Sequence, residues 1–186
     1  MDDYQAAEEV GCSQMKRNAK IIISVVVILT LVVTVLALIN HVNISEKRAA
    51  RGSGAFLITV GDRRYAVMFE DIEAITPRTI DANYKTNLMP PVQKKYTGVS
   101  LKSVFSHLGV DYSAAKRVKF TGEDGYASTI SITEALGEDN CFIVFEEERK
   151  PLGTRESGGY GPYMMILAKD KVSQRWCKFL LEVEII

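Results

Sequence analysis

Residues 21–39 read IIISVVVILTLVVTVLALI, an apolar run without a charge, a glycine or a proline. Its polar members are Ser24, Thr30 and Thr34, whose hydroxyls can return hydrogen bonds to carbonyls of the preceding turn. At about 1.5 Å per residue the run reaches roughly 28 Å, which matches a hydrocarbon core of about 30 Å. Leu, Ile and Val near the centre of such a helix each favour insertion by about 0.3–0.6 kcal/mol. A helix buried in a soluble core is the competing reading, but a half-buried helix shows a polar stripe and this run has none. The pattern predicts a membrane span over 21–39. The run is longer than the apolar core of a cleaved signal peptide, about 7–15 residues, and Asn40-His41-Val42-Asn43 offers no small-residue cleavage site. An uncleaved signal anchor follows.

Beyond the span the periods shorten. Polar residues 1–20 form a tail, 40–54 a tether ending in Arg51-Gly52-Ser53-Gly54, and 55–186 one domain. Residues 56–60 and 64–69 alternate as strands across Gly61-Asp62-Arg63, a hairpin signal. A short helix is predicted over 70–75, stopped by Pro77. Residues 78–96 show little periodicity, contain Pro90-Pro91 and read as a long loop. Ser100 can cap a helix whose apolar face is Leu101, Val104, Phe105 and Leu108, with Gly109 ending it. Strands are predicted at 117–121 and 126–132 around a turn at Gly122-Glu123-Asp124-Gly125. A short helix capped by Thr133 runs to Leu136, and a strand covers 141–146. Lys150-Pro151-Leu152-Gly153 should turn the chain. A Gly-rich loop (155–163), a strand (164–168) and a mostly extended close (175–186) complete an α+β, β-rich domain. No internal repeat is present.

Charge adds orientation. Lys16, Arg17 and Lys20 crowd the N-terminal edge of the span, whereas the other edge is neutral until Glu46, Lys47, Arg48 and Arg51. The nearer positive cluster should stay in the cytoplasm. The expectation is a single-pass protein of the cell membrane, with its N-terminus cytoplasmic and its domain extracytoplasmic. The chain holds 23 basic and 23 acidic residues, and no basic stripe with interleaved aromatics supports nucleic-acid binding. Three cysteines without a C-x-x-C pair, and two histidines without partners at ligand spacing, make no metal cluster. Cys12 precedes the span and reads as a plain thiol. Cys141 and Cys177 could pair in an oxidising compartment.

Candidate chemistry is sparse. Ser157-Gly158-Gly159-Tyr160-Gly161-Pro162 could present backbone N–H groups to a phosphate. It lacks the Lys-Ser/Thr of a P-loop and precedes a strand, so a plain turn competes. Glu146-Glu147-Glu148 could hold a cation, against a solvated strand end. Arg175 and Lys178 could hold an anion, against a charged rim around Trp176 and Phe179. No Ser/His/Asp or Cys/His constellation assembles, so no catalytic residue is assigned.

One ordered set of motifs goes further. Tyr96-Thr97-Gly98-Val99-Ser100-Leu101 before a helix resembles the "tGvpL" helix start of the sulfite-oxidase-like, molybdopterin-binding oxidoreductase domain. Residues 118–132, VKFTGEDGYASTISI, resemble its strand–"adGY"–strand segment, and Glu134-Ala135-Leu136 its "eeAl". Residues 142–152, FIVFEEERKPL, look like its "lAyemNGepL" strand and turn. Gly159 to Leu167 is similar to its Gly-Pro loop and strand. Lys178-Phe179-Leu180 with Glu182-Val183 resembles its closing "KWlxxIev". The resemblance covers about 96–186 and implies that fold, with a molybdopterin-type cofactor possible. Lys178 matches a family lysine at the cofactor, and Arg175, Gly158 and Gly159 would lie near it. The family's molybdenum-ligating cysteine has no counterpart in 78–96, and its "PLRL" arginine falls at Met164. The resulting expectation is a membrane-anchored domain that binds a small molecule or a protein outside the cell without redox chemistry. The alternatives are an active molybdopterin-dependent oxidoreductase with atypical ligation and a β-grasp ligand-binding module.

Overall fold

The structure, a computed structural model, describes residues 22–37, 56–85 and 90–186. The chain divides into two units, Met1–Glu46 and Lys47–Ile186. In the first, residues 22–37 form a helix, α1, exposed along its whole described length. Thr30 and Thr34 donate to the carbonyls of Val26 and Thr30, each at 2.8 Å, so both hydroxyls are satisfied within the helix. Among the described residues no helix is long and apolar enough to cross a membrane. Ile21 and residues 38–39 of the predicted span, the tail (1–20) and the tether (40–54) lie outside the described residues.

The second unit is mixed α+β and rich in strands. Its elements are β1 (Phe56–Val60), β2 (Arg63–Val67), α2 (Phe69–Glu73), β3 (Arg78–Tyr84), β4 (Val92–Ser100), α3 (Leu101–Leu108), β5 (Arg117–Gly122) and β6 (Ala127–Ser131). They continue with α4 (Ile132–Ala135), β7 (Cys141–Glu147), β8 (Lys150–Pro151), β9 (Met164–Leu167), a 3-10 turn at Ser173–Arg175 and β10 (Leu180–Ile185). One sheet has the order β2-β1-β10-β5-β6, and the other β3-β4-β7-β8 with β9 also on β7. β1 and β10 run parallel, so the ends of the domain's sequence lie side by side at the centre of the first sheet.

Alternation builds the core. Phe56 and Ile58 of β1, Val118 and Phe120 of β5, and Val183 and Ile185 of β10 join one buried cluster with Phe142 and Val144 of β7 and Met164 and Ile166 of β9. β7 and β9 read as continuous apolar runs because they are buried on both faces. α3 matches its sequence pattern. The Ser100 hydroxyl accepts from the Ser103 N–H at 3.1 Å, Leu101, Val104 and Phe105 are buried, and Gly109 closes the helix at φ +63°.

The expected loop over 78–96 is a correction. It is a long antiparallel hairpin, Arg78–Tyr84 on Val92–Ser100, whose connection includes residues 86–89, outside the described residues. β3 is an edge strand on which Ala82 alone is buried; Arg78 stands on the same face as Ile80, Ala82 and Tyr84, and Thr79, Asp81 and Asn83 make the other face polar, so little apolar alternation shows. Smaller differences follow local hydrogen bonding. Ser131, not Thr133, caps α4, because its hydroxyl accepts from the Glu134 N–H. The turn after β7 sits at Glu148 and Arg149, both at positive φ, so Lys150 and Pro151 pair back on β7. Phe179 at φ +51° interrupts the closing segment, and β10 begins at Leu180.

Candidate functional site

Lys178 lies just before β10, in a segment that hydrogen-bonds to the end of the Gly-rich loop. The Phe179 N–H donates to the Tyr160 carbonyl and the Leu180 N–H to the Tyr163 carbonyl, each at 2.8 Å. This stitching places the Lys178 ammonium 4.0 Å from the Tyr160 ring centroid and 5.3 Å from that of Tyr84. Its Nζ also donates to the Tyr84 hydroxyl at 3.2 Å. Tyr84 comes from the end of β3, and the hairpin that sequence patterning missed is therefore what brings it here. The Ser173 hydroxyl accepts from the Lys85 N–H at 3.0 Å and donates to the Lys85 carbonyl at 2.7 Å, which ties the hairpin end to the 3-10 turn.

The neighbours complete an aromatic and cationic cluster. Trp176 lies 6.2 Å from Tyr84 and 5.5 Å from Tyr96, between centroids. The Lys94 ammonium lies 4.7 Å from the Tyr84 ring centroid and is ion-paired with Glu147. Among the described residues Lys178 has no carboxylate partner; its positive charge is met by π-faces and one hydroxyl. The Tyr84 and Tyr160 hydroxyls are 3.4 Å apart. That contact, then burial, holds the Tyr160 phenol above its ordinary range, while Lys178 and Lys94 oppose the shift. Tyr96 is fully buried, its hydroxyl has no hydrogen-bond partner among the described residues, and burial followed by the Glu147 charge pushes its pKa up.

The other residues expected at the site are engaged elsewhere. Arg175 is ion-paired with Asp170 and Glu134, and its pKa is raised by hydrogen bonds to Asp170 first and then Glu134. It is not available as an anion clamp alongside Lys178. The Gly158 and Gly159 N–H groups donate within the loop, to the carbonyls of Arg155 and Thr154 at 3.1 and 2.9 Å, so they do not form a phosphate cradle. Gly159 has a packing role: a Cβ there would stand 2.0 Å from the Leu152 carbonyl oxygen. Tyr84, Tyr160 and Lys94 were missed. The alternation of Ile80, Ala82 and Tyr84 was the available signal for the first.

This architecture can be set beside known proteins. The family model described as "oxidoreductase molybdopterin binding domain" matches residues 61–186, more than half of the chain. The chain belongs to this family. Among solved structures, the sulfane dehydrogenase SoxCD from Paracoccus pantotrophus is similar, with a TM-score of 0.57 and 16% identity. The likeness covers 70% of this chain and 37% of that one, so the chain spans well under half of that protein's length, and at such identity it is a likeness of fold. No curated protein matches the chain. Family membership and the two-sheet order set aside the β-grasp alternative.

A molybdopterin-binding domain raises the question of what would hold the metal. Thiolate ligation needs an ionisable, accessible sulfur. Cys141 on β7 is buried, and burial pushes its thiol far up. Cys177 is fully buried, and its thiol is pushed up to about 12 by burial and then by the Asp124 charge. Residues 78–96 hold no cysteine. The domain's donors do not fit a thiolate-held molybdenum. The Lys178 cluster combines aromatic faces with an ammonium that has no carboxylate partner among the described residues.

Proposed function

We propose that the protein is a membrane-anchored, extracytoplasmic member of the molybdopterin-binding oxidoreductase family that binds an aromatic anion at Lys178 and carries out no molybdenum redox chemistry. One observation carries the binding reading: the Lys178 ammonium is framed by Tyr84 and Tyr160 and has no carboxylate partner among the described residues. A partly buried cation held this way is completed by an incoming anion, and a charge-assisted hydrogen bond contributes about 1.5–3 kcal/mol. The neighbouring rings supply stacking surface for a planar ligand. The lack of an accessible thiol in the domain supports the non-redox part. The apolar run 21–39 and the flanking Lys16, Arg17 and Lys20 support the anchor and its orientation.

The binding reading is tested by titrating the protein with pterin-6-carboxylate while following Trp176, the one tryptophan in the chain. Saturable quenching is expected. Lys178→Met should weaken it at least about tenfold, since 1.4 kcal/mol is a factor of ten. Equal affinity in the variant would sink the assignment of Lys178.

A further inference from the structure

The run Glu146-Glu147-Glu148 separates into three roles. Glu147 pairs with Lys94, and Glu148 accepts from the Lys95 backbone N–H at 2.8 Å. Glu146 faces a different space, a cavity of about 750 Å³ outside the Lys178 cluster. Its walls are largely apolar: Phe69 and Ile72 of α2, Phe145 of β7, and Leu152, Pro162 and Tyr163. Phe69 is 46% exposed, and its ring meets Phe145 edge-on at 6.4 Å. Two carboxylates, Glu73 and Glu146, line the cavity, and among the described residues no lysine, arginine or histidine does.

Two further carboxylates stand close by. Glu70 and Asp71 lie in the first turn of α2. The Tyr163 hydroxyl is buried without a hydrogen-bond partner among the described residues. Burial, and then the charges of Glu70, Glu73 and Asp71, push it up to about 12. A volume of this size is within the range of small-molecule sites, about 300–1,000 Å³. An apolar wall selects an apolar body, aromatic faces favour a cation near them, and unopposed carboxylates reject an anion.

We infer that this cavity binds a small organic cation, an amine with an aromatic or branched apolar body. Its apolar part occupies the space between Phe69, Phe145 and Leu152, and its ammonium lies toward Glu73 and Glu146. The site is opposite in sign to the Lys178 cluster, so each excludes the other's ligand.

The test titrates the full chain in zwitterionic lipid nanodiscs with 4-phenylbutylamine, 4-phenylbutanol and 4-phenylbutyrate, subtracting empty nanodiscs. The amine should bind saturably at one per chain, at least about tenfold tighter than the alcohol, and the carboxylate should not bind. Glu73→Gln with Glu146→Gln should bring the amine down to the alcohol's affinity and leave alcohol binding and thermal stability unchanged. Both side chains reach solvent, so the fold does not depend on them. Equal binding of amine and alcohol, unsaturable amine uptake, or a double variant that binds the amine as before would each overturn the inference.

Discussion

Tyr96 and Tyr163 each bury a hydroxyl without a hydrogen-bond partner among the described residues. An unsatisfied buried hydroxyl costs about 1–3 kcal/mol, so Tyr96→Phe and Tyr163→Phe should leave the melting temperature equal or higher at neutral pH. Calorimetry checks this, and a fall in either variant would reveal a partner for the hydroxyl. Tyr163 also sets a pH dependence. An unfolded tyrosine ionises near 10, and Tyr163 in the fold near 12. Between these values the unfolded chain releases a proton that the native state keeps. The Tyr163 contribution is therefore intact below about pH 10 and is lost as pH rises toward about 12, at no more than about 1.4 kcal/mol per pH unit. Melting curves from pH 8 to 11 should fall more steeply for the wild type than for Tyr163→Phe; parallel curves would refute this. The cysteines give a third residue-scale outcome. Cys141 pairs with Leu167 on one edge of β9, and Cys177 bridges Met165 on the other. Two strand spacings of about 4.8 Å exceed the roughly 7 Å Cα limit for a disulfide. Both thiols should therefore titrate as free after denaturation, even in protein purified without reductant.

At the scale of elements, Gly98 shows why one motif was legible. It lies at the register shift between β4 and β7, where an added Cβ would stand 2.3 Å from the Ile143 carbonyl oxygen and 2.6 Å from the Val144 Cα. Backbone atoms cannot step aside, so Gly98→Ala should destabilise the domain by about 1–3 kcal/mol, read as a lower denaturation midpoint. A midpoint unchanged from wild type would show that β4 and β7 separate freely. α3 was legible because its cap, apolar face and Gly109 all lie within ten residues. The hairpin β3–β4 was not, since an edge strand buries little and its alternation is short, carried by Ile80, Ala82 and Tyr84. The site inherits that difference. Lys178 was reachable through the resemblance of its segment, whereas Tyr84 depended on a strand that was read as a loop. Arg175 looked free in sequence because Asp170 and Glu134 approach it only in the folded chain.

For the whole molecule, the chain divides into two units of different composition. Residues 1–46 hold the apolar run and its basic flank, and Lys47–Ile186 holds a domain with its own core. Removing residues 1–46 should move the protein from the membrane fraction to the soluble fraction, and a truncated chain still sedimenting with membranes would count against the single anchor. Within the domain, the family's fold is present while the two cysteines, Cys141 and Cys177, are buried. The most direct measurement is molybdenum per mole of the full chain, purified from a host that makes molybdenum cofactor. No stoichiometric molybdenum is expected, because no accessible thiolate is available in the domain to retain it. Near-stoichiometric molybdenum that survives gel filtration would contradict this and would require a ligand other than Cys141 or Cys177.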